Sequence, residues 1–167
     1  STVAQWYHDH GYHFAILSEH NKFIDPKTVK LKGEIREDFL LLPGEEVTGR
    51  KTVHSTAMNV DRLVPWHFDH EHRSKIIQKH VDETIKAGGA TILNHPNFGW
   101  AVQAKDMLPV KKLYLFELYN GHPSVRIFGD PKHPSTEELW DALLTPVSYS
   151  LPTLPTTNYG YKSLFDA

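Results

Sequence analysis

Twelve histidines in a chain of 167 residues that has no cysteine direct attention to imidazole and carboxylate chemistry. His20, Glu46, His95 and Glu117 occupy a recurrent position. Each lies just after, or at the end of, a short apolar run: FAIL before His20, LLL before Glu46, ATIL before His95, LYLF before Glu117. Neutral imidazole nitrogens combined with carboxylate oxygens suit a first-row divalent metal ion, and a carboxylate can bridge two such ions. The missing cysteines remove thiolate ligands and disulfides from consideration. Taken singly, each residue has a plainer explanation. A histidine after a strand is more often a hydrogen-bonded loop residue, Glu45 and Glu46 could open a helix, and Asn94 and Asn120 could be turn residues. The coincidence at several strand ends is what points to a site. The dense run WHFDHEH differs, because His67, Asp69, His70 and His72 precede a helical pattern and read as surface or capping groups. A metal-scavenging patch is the minority reading there.

The elements that must position these groups alternate. STVAQWYHDHG reads as a helix capped by Ser1, with Val3, Trp6 and Tyr7 on one face and Gly11 at its end. YHFAILSEHN is a strand with its apolar core at Phe14 to Leu17. DFLLLPGEEVT is a second apolar run, interrupted by the turn signal Pro43-Gly44, and KTVHSTAMNV is a strand carrying His54. In HRSKIIQKHVDETIKAGG, residues Ile76, Ile77, Val81 and Ile85 fall at helical spacing, and Gly88 and Gly89 end the pattern. GGATILNHPNFGW holds a short strand that delivers Asn94 and His95 to its tip, where Pro96 biases His95 toward an extended backbone. KKLYLFELYNGHP is a strand ending at Glu117 and Asn120. PSTEELWDALL is a helix with a capping box, Ser135 and Glu138. Such alternation points to an α/β fold with a parallel sheet covered by helices, whose ligands bind beyond the carboxyl ends of the strands.

The bounds are permissive. The length suits a single domain over 1–167. A formal charge of −2 implies no global attraction to nucleic acid or an acidic membrane. No run approaches transmembrane length and no secretory signal is visible; the compartment stays open, with the cytoplasm slightly favoured. Residues 146–167 combine prolines with polar residues and lack periodicity, so an irregular tail is expected there.

Five segments, in order, resemble the PHP (polymerase and histidinol phosphatase) domain family. GYHFAILSEHN resembles the family segment that usually reads Gly-Tyr-Asp-hydrophobic-Thr-Asp-His-Asn, and LLLPGEEVT its Pro-Gly-x-Glu segment. VHSTAMNV is similar to the following histidine-bearing strand, NHPNFGW to the Asn-His-Pro loop, and FELYNGHPSV to the Glu-x-Tyr-Asn-Gly strand end. The resemblance spans 1–145. It implies a distorted (β/α)7 barrel holding two or three divalent ions (Zn, Mn or Fe), and a metal-dependent phosphoesterase that hydrolyses a phosphate mono- or diester with metal-bound hydroxide. It implies His20, Glu46, His54 and His95 as metal ligands, with Glu46 bridging. Glu117, Asn120 and His122 would lie at the rim, in contact with a small phosphorylated substrate.

Departures from the family pattern qualify this expectation. The early His-x-His strand of the family is absent from the chain as it starts at Ser1, so the barrel is expected to be incomplete at its N-terminus. Where the family closes on Asp-x-His, the chain reads TPVSYSLPTLPTTNYGYK, with neither residue, and its prolines suit no ordinary barrel strand. Fewer ions would then bind, and the enzyme could be inactive in this form. The alternative is a catalytically silent PHP-like binding or scaffold module. An amidohydrolase is the third reading, but its early His-x-His and bridging group are not visible.

Overall fold

A computed structural model describes residues 2–31 and 38–150, with side chains to 145. In chain order the main elements are α1 (Thr2–Asp9), β1 (Phe14–Leu17), β2 (Leu40–Thr48), β3 (His54–Met58), α2 (Arg73–Lys86), β4 (Ala90–Leu93), α3 (Ala104–Met107), β5 (Leu115–Phe116) and α4 (Thr136–Ser150). The strands form one five-stranded sheet in the order β1-β2-β3-β4-β5. β1 pairs with β2 and β4 with β5 in parallel, whereas β3 is antiparallel to both neighbours. Four strands therefore run one way and β3 alone runs back.

This corrects the expected distorted (β/α)7 barrel. The sheet is mixed and open, with β1 and β5 as its edges. One reason lies in the link from Gly49 to Val53, between β2 and β3. A parallel crossover needs about a dozen residues or more, so so short a link enforces an antiparallel pair.

Alternation along the strands divides the sheet into two unlike faces. On one face Val47, Ser55 and Leu93 lie opposite one another in register and are fully buried, as is Ala57. Helix α2 lays Ile76, Ile77 and Val81 against this face, where Leu93, Met107 and Leu139 complete the largest core cluster. Each such side chain contributes about 1.5–3 kcal/mol by leaving water. Ala4 of α1 joins Phe39 and Leu41 in a smaller cluster on the same side. The other face carries Ile16, Leu42, Met58, Glu46, Thr56, His54 and Ile92, all half-buried, with Phe14, Leu40 and Leu115 exposed.

Several local expectations change. β2 does not break at Pro43-Gly44 but runs straight through it. Leu40 to Pro43 pair with β1, and Gly44 to Thr48 pair with β3. Gly44 makes the crossing possible, since a Cβ there would stand 2.5 Å from Ile16 Cγ2 and 2.9 Å from the Ala57 carbonyl. In α1, Ala4 is the buried residue while Val3 and Trp6 face solvent; Ser1 lies outside the described residues. In α2, Ile85 is exposed and His80 and Thr84 are buried instead. The capping box of α4 is present, with Ser135 N–H donating to Glu138 Oε2 at 2.7 Å and Glu138 N–H to Ser135 Oγ at 3.1 Å. That helix continues past Pro146 to Ser150, into the stretch expected to be irregular; 151–167 lie outside the described residues. Among the described residues, no helix is long and apolar enough to cross a membrane.

Candidate metal centre

The strand directions bring the chemistry to one end of the sheet. His20 follows β1, Glu46 lies near the carboxyl end of β2, and His95 and Glu117 follow β4 and β5. His54 starts β3, the reversed strand, so its amino end meets the carboxyl ends of the others. Thr48 pairs with His54, and Glu46 with Thr56, placing these four side chains on the open face.

Glu46, His54 and His95 each offer one ligand atom within 4.8 Å of the others, a group that could hold a metal ion. Glu46 Oε1 is the hub. It stands 3.2 Å from His54 Nδ1, 3.6 Å from His95 Nε2 and 3.7 Å from His20 Nδ1. The first three side chains are 15–17% exposed, whereas His20 is 65% exposed and flanks the cluster. His20 is tethered there by a 2.5 Å contact between its Nδ1 and Thr48 Oγ1, and by backbone pairing with Glu46.

The donor set fits a cation. His54 Nδ1 and His95 Nδ1 are buried without a hydrogen-bond partner; the His54 nitrogen is near Glu46 but not aligned for a bond. Buried polar atoms normally find partners; the His54 atom faces Glu46, whereas His95 turns its other ring nitrogen, Nε2, toward the cluster. Burial raises the Glu46 carboxyl, but the imidazoles of His54 and His95 and the charge of His20 outweigh it and hold the group well below the usual carboxylate range. Burial lowers the His95 imidazolium, and Glu46, with Glu117 behind it, more than offsets this, leaving its pKa raised. Without an ion the centre is thus an anion ringed by imidazoles.

No family model, curated protein or solved structure matches the chain. What the site can do must therefore be read from its own geometry.

The supporting residues differ from expectation in instructive ways. His95 is not extended; its φ is +26°, in the left-handed region that a non-glycine residue occupies at a cost of about 1–3 kcal/mol. Asn94 reaches β3 rather than its own loop, its Oδ1 accepting from Thr56 N at 3.2 Å and Thr56 Oγ1 at 3.0 Å. Phe98 packs edge-on against the His95 ring at 5.4 Å between centroids. Glu117, Asn120 and His122 form a chain of hydrogen bonds behind His95, and the His122 side chain is exposed. Sequence reasoning missed Thr48, although the period of two from Glu46 places it on the same face. His67, Asp69, His70 and His72 form no such cluster: His72 N–H donates to His70 Nδ1 on an exposed loop. Cavities of about 300 and 380 Å³ beside Trp100 and His133 and between β5 and α4, and larger ones of about 460 and 760 Å³ beside Phe23 and beside Tyr12, open elsewhere, and none of these is lined by Glu46, His54 or His95.

Proposed function

We propose that the protein is a metal-dependent phosphoesterase of PHP type acting on a small phosphorylated substrate. The observation that supports this most is the convergence of Glu46, His54 and His95, with His54 Nδ1 and His95 Nε2 both turned toward Glu46 Oε1. These three residues would hold a first divalent ion, Zn, Mn or Fe, since imidazole and carboxylate suit that group of metals. His20, tethered at the rim, would add a fourth donor or help to hold a second ion. When bound, such an ion supplies Lewis acidity, making water a nucleophile near neutral pH and neutralising phosphoryl charge. The chain's own residues supply orientation. β2 and β3 fix Glu46 and His54 on adjacent strands, and the β4 exit fixes His95. Glu46, held as a carboxylate, provides the negative charge that draws in the cation.

The alternative, a silent PHP-like binding or scaffold module, draws support from the small ligand set and from the absence of Asp and His between Thr145 and Lys162. One experiment separates the two. The purified chain is loaded with Mn²⁺ or Zn²⁺, its metal content is measured, and turnover of p-nitrophenyl phosphate is followed. The enzyme reading expects bound metal and metal-dependent turnover, both lowered together in His95→Ala, with an affinity loss larger than the roughly tenfold to hundredfold cost of losing a partner behind a ligand. Metal binding without turnover of any phosphate mono- or diester would leave the silent module. Unchanged metal affinity in His95→Ala would end the metal-centre reading.

A further inference from the structure

Both oxygens of the Glu117 carboxylate are engaged by the protein itself. Its Oε2 accepts the His95 backbone N–H at 2.6 Å, and its Oε1 accepts from Asn120 Nδ2 at 2.8 Å. Its own N–H donates to the Leu93 carbonyl at 2.8 Å, continuing the β4–β5 ladder beyond its last strand pair. Asn120 is held in turn, its Oδ1 accepting from His122 N–H at 2.8 Å, while His122 Nδ1 accepts from Ser124 N–H at 3.2 Å. No ligand atom of Glu117 belongs to the Glu46, His54 and His95 group.

What this brace acts on is the unusual part. His95 has φ +26°, a conformation rare for a residue with a Cβ and disfavoured further by the following Pro96. Backbone in such a region persists when its surroundings over-determine it, and such positions concentrate at functional sites. A charge-assisted bond to a carboxylate is among the stronger single restraints available. It is applied at the N–H of the residue whose ring reaches Glu46.

We infer that Glu117 is a positioning residue for His95: its carboxylate clamps the His95 backbone in the left-handed turn that presents the imidazole to Glu46 and His54, and it neither ligates an ion nor contacts substrate. The inference rests on the metal-centre reading of that cluster. Glu117 and Asn120 thereby move from the substrate rim to the support of a ligand.

The test is a double-mutant cycle on the full chain, read as Zn²⁺ affinity by titration calorimetry. Glu117→Gln should weaken Zn²⁺ binding about tenfold to hundredfold, as for other partners that orient ligating histidines, with unchanged stoichiometry. Asn120→Ala, a milder change at the edge of the brace, should weaken it by a smaller factor and keeps the test open if Glu117→Gln fails to fold. In a His95→Ala background both losses should vanish, because the residue they act through is gone. A general loss of structural integrity would persist in that background. Equal affinity of wild type and both variants, or an undiminished loss in the His95→Ala background, overturns the inference while the metal centre stands. A wild-type chain that binds no Zn²⁺ overturns the metal-centre reading, and this inference with it.

Discussion

At the scale of single residues, polar groups divide between those held for chemistry and those that are structural. His80 belongs to the second kind despite being a histidine in a histidine-rich protein. It is fully buried in α2, with Nδ1 3.1 Å from Ser55 Oγ and Nε2 lacking a partner. Gly49 sits so close that a Cβ there would lie 2.6 Å from His80 Nε2. Burial, with a smaller contribution from the charge of His54, lowers its pKa to about 4. In the unfolded chain it titrates near its ordinary value of 6.5, so between these values the unfolded state binds the extra proton. Its contribution is therefore intact above pH 6.5 and is lost as pH falls toward 4, to the extent of about 3 kcal/mol. Urea unfolding at pH 7 and pH 5 should show a smaller drop in stability for His80→Gln than for wild type. Equal drops would show that this histidine does not carry the acid sensitivity.

At the scale of elements, β2 is the decisive strand. It joins β1 in its first half and β3 in its second, and it carries the hub carboxylate Glu46 in the half that faces His54. Gly44 is the pivot. Replacing it with Ala would push a methyl group into Ile16 and into the carbonyls of Ala57 and Leu17, the last at 3.0 Å. Two of these neighbours are backbone atoms of paired strands, which cannot yield without opening the sheet. Gly44→Ala should cost about 1–3 kcal/mol in denaturant unfolding and should weaken metal binding through the displaced strand. A variant as stable as wild type would mean that the two halves of β2 do not pass so close to their neighbours. The α4 start illustrates the contrast, for its capping box is local and followed directly from Ser135 and Glu138.

At the scale of the whole molecule, the protein is a two-layer arrangement in which the described core clusters form on one face of an open sheet, and the ligand-bearing face carries half-exposed apolar residues. In a closed barrel Phe14 and Leu40, paired across β1 and β2, would line the interior. Here they are 54% and 58% exposed. Phe14→Lys and Leu40→Lys should each change stability by no more than about 0.5 kcal/mol. Ile77→Ala, on fully buried α2 packing, should cost about 2–5 kcal/mol. Losses from the two lysine variants as large as that from Ile77→Ala would show that the face is covered in solution.

The sequence by itself determined what depends on near neighbours. The apolar runs became β1, β3 and β4, the spacing of Ile76, Ile77 and Val81 became the buried face of α2, and the placement of Glu46 and His95 at strand ends anticipated two of the three residues that converge. Periodicity and capping act within a few residues, so they are written locally. The reversal of β3 was half legible, since the short Gly49–Val53 link forbids a parallel crossover; its antiparallel pairing with β4 across the intervening helix was not. Only the tertiary structure decided that the sheet stays open, that His54 reaches the site from the amino end of its strand, and that Glu117 turns its carboxylate to the His95 backbone. Closure, strand direction and the partner of a carboxylate are set by contacts between residues far apart in the chain, where no spacing rule operates.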